Sequence, residues 1–232
     1  NGLKLGGMLY QSNTDVDALV QGHSRIDSVG MALYGGYRQD GSGFAFGAGG
    51  SISSNNAKGD RAINVPGLSQ SLISKVDSTS YQMFSEVSFD LTNADNSQVE
   101  PFLRAAYAKV KTRSFSESGG IAAVSGDSQS SDLTIAMLGM RAAYTNGMVS
   151  ISGSSAWQRT MGDRAVSSLQ SISGVGALYS VSTVAFDRDA LAMEFETTVN
   201  LSQRIVLGAG YSSLLGKNNS EHSARATVRY AF

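Results

Sequence analysis

Cysteine is absent from the 232 residues, and proline and histidine occur only twice each. Without cysteine there is neither a disulfide framework nor a thiolate metal site, which suits a chain that crosses an oxidising compartment. Charge is scarce at 16% of residues, and Lys+Arg 18 against Asp+Glu 19 leaves -1. No net positive field is available to hold a phosphate backbone, so nucleic-acid binding is excluded as the leading function. Long apolar runs are missing too: the longest are stretches such as Ile135–Leu138 and Ile205–Leu207, whereas a helical span needs roughly 18 apolar residues. No basic segment followed by an apolar one opens the chain, so any export signal is removed or lies upstream. What remains is a glycine-rich chain of 26 glycines and 41% hydrophobic residues. Its mean hydropathy near zero fits a soluble domain and a membrane β-barrel equally well.

Periodicity separates the two. Ala224, Ala226, Val228, Tyr230 and Phe232 share one parity, and Ser223, Arg225, Thr227 and Arg229 the other. Ile205, Leu207, Ala209, Tyr211 and Leu215 repeat the pattern, as do Leu191, Met193, Phe195, Val199 and Leu201 opposite Glu194, Glu196 and Thr198. Further strands are predicted around Gly147–Met161, Asp132–Tyr144, Gln98–Arg113, Val76–Leu91, Gly43–Ser53, Arg25–Arg38 and Leu3–Tyr10. That is about ten strands of the length a tilted membrane strand needs. The polar parity carries Glu86, Asp90, Glu100, Glu194 and Glu196 together with Arg38, Arg104, Arg141, Arg204, Arg225 and Arg229. A soluble sandwich would bury one face, and burying these charges costs several kcal/mol each unless they are paired. A wet barrel lumen solvates them, which hands the apolar face to lipid. Leu207, Tyr211, Met193, Phe195, Phe44 and Phe46 are expected there.

The connections alternate in length, as outer-membrane barrels require. Tight turns fall at Gln39-Asp40-Gly41, Asn93-Ala94-Asp95-Asn96, Thr145-Asn146-Gly147 and Ser202-Gln203. Long connections fall at Gln11–Ser24, Ser54–Lys75, Ser114–Ser131 and Gly162–Asp187, with a medium one at Lys217–Glu221. With the C-terminus in the periplasm, every long connection lies outside. Ser114–Ser131 and Gly162–Asp187, rich in Ser and Gly, are expected to be mobile. Tyr37, Phe89, Tyr144, Tyr230 and Phe232 lie near the inner ends, where an aromatic girdle belongs.

In the order and spacing of its motifs the sequence resembles the C-terminal translocator, or β-domain, of bacterial autotransporters, the type V secretion family. The resemblance rests on Gly2-Leu3-Lys4-Leu5-Gly6-Gly7 into Asp15-Val16-Asp17, Leu33-Tyr34-Gly35-Gly36, Glu100-Pro101-Phe102, Ser114-Phe115-Ser116-Glu117-Ser118-Gly119-Gly120, Leu138-Gly139-Met140-Arg141, Asp189-Ala190-Leu191 and the terminal Phe232. It implies an all-β, antiparallel, transmembrane outer-membrane β-barrel of twelve strands, threaded by an α-helical linker that follows a secreted passenger. The first strand here looks like the family's third, so residues 1–232 are expected to be one barrel domain lacking the linker helix and first hairpin, with a native ten-stranded barrel as the alternative. The implied partners are the chain's own passenger and linker, outer-membrane lipid, the barrel assembly machinery and periplasmic chaperones, around a monomeric barrel. The implied assembly signal is Ala224, Ala226, Val228, Tyr230 and Phe232, a segment that alternates strictly without Pro or Gly and so suits edge pairing.

Chemistry-bearing motifs are few. His23 and His222 lack metal-ligand and base-nucleophile spacing, and no metal or cofactor is expected. An omptin-like protease would need an Asp-His couple at the outer rim, for which His222 with Glu221 or Asp187 is the available set. Gly47-Ala48-Gly49-Gly50 lacks the spacing and following helix of a phosphate cradle, and glycine facing a crowded barrel interior explains it better. The expected function is translocation of a passenger, without catalysis; a passive porin is the runner-up, and upstream sequence would separate them.

Overall fold

The computed structural model describes residues 2–18, 22–39, 43–91, 95–174 and 176–230. Ten strands form one antiparallel sheet in sequence order: β1 (Gly2–Ala18), β2 (Gly22–Arg38), β3 (Phe44–Val65), β4 (Leu68–Phe89), β5 (Ser97–Thr112), β8 (Gln129–Asn146), β9 (Val149–Gly162), β12 (Asp189–Asn200), β13 (Ile205–Gly216) and β14 (Ser220–Tyr230). Every neighbouring pair is antiparallel, and all but β5–β8 and β9–β12, which long segments join, are hairpins. β1 and β14 are the two edges of this sheet and, among the described residues, do not pair with each other. The expected turn at Ser202-Gln203 falls between strands, whereas at Thr145-Asn146-Gly147 the first two residues still belong to β8 and the connection is Gly147-Met148, with Gly147 at φ 57 in the left-handed region. The expected turn residues Asp40-Gly41 and Asn93-Ala94 lie outside the described residues.

Register shows that the strands are inclined. Leu3, Tyr37, Phe46, Val87, Leu103, Leu138, Trp157, Leu191 and Leu215 are successive cross-strand partners. The row leaves β1 beside its first residue and reaches β13 beside its last, the shear of tilted strands in a barrel wall.

The convex face is apolar over a band of constant depth. Counted from the short-turn end, its first charges are Asp15 on β1, Asp27 on β2, Lys58 on β3, Asp77 on β4, Lys109 on β5, Asp132 on β8, Arg159 on β9 and Asp189 on β12. Below them the face carries residues such as Leu33, Met31, Met83, Leu103, Leu138, Trp157 and Phe195. Leu5, Leu9 and Leu33 are 77%, 83% and 71% exposed, untenable in water but suited to hydrocarbon. Roughly ten residues per tilted strand give about 25 Å of height, the hydrocarbon band of an outer membrane. Burial lies on the concave face, at Glu100, Phe102, Ser88, Ala156 and Thr160.

Four strands run far past this band, which corrects the expected connections. Gln11–Ser24 is the top of the β1–β2 hairpin, and Ser54–Lys75 is the top of β3–β4, closed by Pro66-Gly67 with Gly67 at φ 84. The loops expected to be mobile also have structure: β6 (Phe115–Ser116), β7 (Val124–Gly126), β10 (Ser167–Ile172) and β11 (Leu178–Ser182) make a second sheet in the order β11-β10-β7-β6. It continues the wall from β4, whose upper half outruns β5: Ile73 and Ser118 exchange backbone hydrogen bonds at 2.9 Å each way. Leu72 of β4, Ala123, and Val124 of β7 are buried, and Arg61 grips Glu117 with Nε and Nη2 at 3.0 and 2.7 Å. Serine and glycine did not leave these loops bare, because neighbouring segments supply the apolar cover and the charge.

Candidate functional site

The charges of the polar parity meet on the concave face. Glu100 lies at the centre, 2% exposed. One of its oxygens accepts from Arg38 Nη2 at 2.8 Å and from Gln98 Nε2, the other from Arg141 Nε at 2.7 Å. Glu86 binds Arg104 through Nη2 at 2.6 Å and Arg141 through Nη1 at 2.8 Å. Arg141 thus bridges two carboxylates and donates also to Ser88 Oγ. Phe102 stands between Arg104 and Arg141, whose guanidinium carbons are 5.6 and 5.4 Å from its ring centre. Charge-assisted bonds of this kind are the strong ones, and the aromatic face adds cation–π attraction. Arg38 on β2 reaching Glu100 on β5 spans two intervening strands, which only a curled sheet permits.

A second group faces the first. Glu196 accepts from Arg225 at 3.1 Å, with Glu194 beside it. Between the groups lies a recess of about 490 Å³, floored by Ser152, Ser154, Ala156, Ala192, Gly210 and Ser212. Arg229 shares the face on β14. Arg204 sits in the bend before β13 and Asp90 just past β4, so neither is on a strand. Ala224, Ala226, Val228 and Tyr230 lie on β14, the edge strand, and Phe232 is outside the described residues. Sequence reasoning did not place Gln98, Phe102 and Ser88 in the site; their signals were shared parity with Glu100 and Arg104 on β5 or with Glu86 on β4 and, for Phe102, its place in the Glu100-Pro101-Phe102 motif.

Glycine has a definite place on the concave face. Tyr34 lies over Gly6, Tyr10 over Gly30 and Phe84 over Gly49, each the direct cross-strand partner; a Cβ on those glycines would sit about 2.5 Å from the ring. Gly139 is packed against Ala156 Cβ and the Ser155 carbonyl.

The protease-like set does not assemble. His222 Nδ1 is 2.7 Å from the Tyr211 hydroxyl on the convex side, whereas its neighbour Glu221 points the other way. Asp187 accepts from the backbone N–H of Asn218 and Asn219 and from the Asn218 amide, which hold its carboxyl below the usual range. His23 pairs with Asp17 at 2.7 Å, which raises the imidazole pKa, with Asp15 at 3.7 Å. Among the described residues no group of His, Asp and Glu is arranged to hold a metal ion.

Family comparison decides between the barrel functions. The model of the autotransporter beta-domain matches residues 1–212. The chain belongs to the autotransporter beta-domain family. Its role is the family's: an outer-membrane β-barrel unit that translocates a passenger domain. An extracellular serine protease of Serratia marcescens is 28% identical over 233 residues, covering 99% of this chain and 22% of the relative; a second from the same organism is 26% identical with the same coverage. The chain therefore spans about a fifth of these relatives. The translocator domain of autotransporter NalP from Neisseria meningitidis shares the fold with a TM-score of 0.70 at 15% identity, over all of this chain and 76% of that one. The monoaromatic hydrocarbon channel CymD shares it at a TM-score of 0.56 and 12% identity, over 99% and 70%. Barrel architecture alone therefore does not distinguish an autotransporter domain from a diffusion channel.

Proposed function

We propose that this autotransporter β-domain lies in the outer membrane with its extended end outside, its short turns and C-terminus in the periplasm, and a passenger linked to its N-terminal side. The uncharged convex band opposite a charged concave face carries the reading, since the two solvents it implies are lipid and water. The linker lies in the recess, where Glu194, Glu196 and Arg225 on one wall and the Arg38, Glu86, Glu100, Arg104 and Arg141 network on the other offer ion pairs to a polar segment. The unpaired edges of β1 and β14 are bridged by strands preceding Asn1, as the twelve-stranded resemblance implies. Any proteolytic activity of the kind named in the Serratia proteins belongs to a passenger rather than to this barrel.

β14 is the strand the barrel assembly machinery reads, after periplasmic chaperones deliver the chain. Its unpaired edge is a template for β-augmentation. The experiment is to fuse an epitope-tagged passenger upstream and follow surface display together with solute uptake. Display with no uptake supports the reading. Solute uptake without display makes the chain a porin and overturns it.

A further inference from the structure

The convex face holds a basic column that the translocator role leaves unused. Lys109, Lys111 and Arg113 alternate along β5 and its continuation, immediately above Leu103, Ala105 and Tyr107 of the apolar band. Lys111 Nζ rests 5.8 Å from the ring centre of Tyr81 at the band's upper edge. Higher on the same face Lys75 and Lys58 are direct cross-strand partners, and Lys58 also faces Arg25. Like charges placed opposite one another repel, so this wall bears an electrostatic cost that a counter-charge would relieve. Among the described residues the ion pairs leave Lys58, Lys75, Lys109, Lys111 and Arg113 out. Neighbouring carboxylates fill the role only in part: Asp77, across from Arg113, accepts from the Asn56 amide, Asp27 holds Arg25 and the Asn13 amide, and Asp132, opposite Lys109, forms no ion pair with it. Asp60, beside Lys58, stands across from His23.

We propose that this column binds the phosphate groups of a phosphorylated lipid in the leaflet at the extended end. Alternate strand residues are about 7 Å apart, so three cations present a ladder at headgroup depth, and lysine and arginine are the side chains suited to phosphate. On β2, β3 and β4 the convex charges above the band are mixed, Asp27 with Arg25, Lys58 with Asp60 and Asp77 with Lys75, and Arg159 on β9 pairs with Asp189 on β12, whereas β5 and its continuation carry three cations and no carboxylate, which makes β5 the cationic wall. The inference rests on the orientation proposed above.

The test uses the full-length protein, passenger included, in phosphatidylcholine vesicles with or without bis-phosphorylated lipid A. The thermal midpoint of the barrel is read by its heat-modifiable gel mobility. Phosphorylated lipid raises the midpoint of the wild type, and its apparent affinity falls about tenfold in K109Q/K111Q/R113Q. That is less than the full loss of three cations at about fivefold each (about 1 kcal/mol), because Asp77 and Asp132 already offset part of their field. The charge-conserving K109R/K111R keeps the increment. The inference is overturned by an equal increment in the glutamine variant, by dephosphorylated lipid A acting as well as the phosphorylated form, or by soluble polyphosphate binding as tightly as the lipid. Passenger display and external labelling of K111C report on the orientation separately: normal display and labelling with no lipid effect overturns only the lipid site. Labelling confined to permeabilised cells overturns the orientation and, with it, the leaflet assigned here.

Discussion

Single residues on the concave face act through partners several strands away. Glu100 is the clearest case, because two arginines and Gln98 converge on a side chain almost wholly removed from solvent. Replacing it by Gln keeps the shape and removes the charge that Arg38 and Arg141 share. We expect a loss of about 1–3 kcal/mol in urea unfolding of the inserted barrel; an unchanged midpoint would mean that water already screens the pair. Gly139→Ala is a matched steric test. The added carbon would meet Ala156 Cβ at 2.5 Å and a backbone oxygen at 2.6 Å, neither of which can swing aside, so about 1–3 kcal/mol should be lost. Asp187 gives a pH dependence. Its pKa is held below the unfolded value by the Asn218 and Asn219 amides, so its contribution is present above the unfolded carboxylate range near pH 4 and fades as pH falls through the depressed value. Hydrogen-exchange protection of the Asn219 amide should hold down to about pH 4 and weaken only below it; loss at mildly acid pH would contradict the clamp.

At the scale of elements, the second sheet and its support carry the prediction. Arg61 and Glu117 join β3 to the segment after β6, and the Glu117 carboxylate also accepts from the Val124 N–H. Burial pushes this carboxyl up, yet the Arg61 and Val124 bonds outweigh it and leave it lowered. Glu117→Gln should cost about 1 kcal/mol locally and raise the rate at which protease added to intact cells cuts segment 114–131. Equal nicking of wild type and variant would show that the sheet does not depend on this pair. Deleting Phe232, or replacing Tyr230 and Phe232 by Ser, should lower outer-membrane accumulation in a pulse-chase more than the same changes at Tyr107 and Tyr211; normal assembly would leave those aromatics only an interfacial role.

The same scale shows what was legible in the chain. Strands were readable where lipid met one face and water the other, which is why β12, β13 and β14 stood out. The signal stopped where that contrast stopped. Asn55–Arg61 is as much β-strand as Phe44–Ser53, but above the band both faces meet water and no alternation marks it. β6 and β7, of 2 and 3 residues, pair with each other, and β7 also with β10 more than forty residues on, which no local pattern encodes. At the concave face parity grouped the charges, but which pairs meet depends on the register and shear of ten strands, as the Arg38–Glu100 bond shows.

The whole molecule is organised by one contrast, an apolar convex band about 25 Å tall around a charged concave face, and orientation, assembly and lipid contact all depend on it. A matched pair of arginine substitutions on β12 and β9 tests it most directly. Phe195 is on the convex face near mid-band, whereas Ser152 is on the concave face opposite Glu196. In heat-modifiability and urea titrations of the reconstituted barrel, Phe195→Arg should cost about 2–4 kcal/mol, and Ser152→Arg, with a carboxylate within reach, should stay within about 0.5 kcal/mol of wild type. Equal losses at the two positions, or a greater loss at Ser152, would contradict the assignment of lipid to the convex face and water to the concave one.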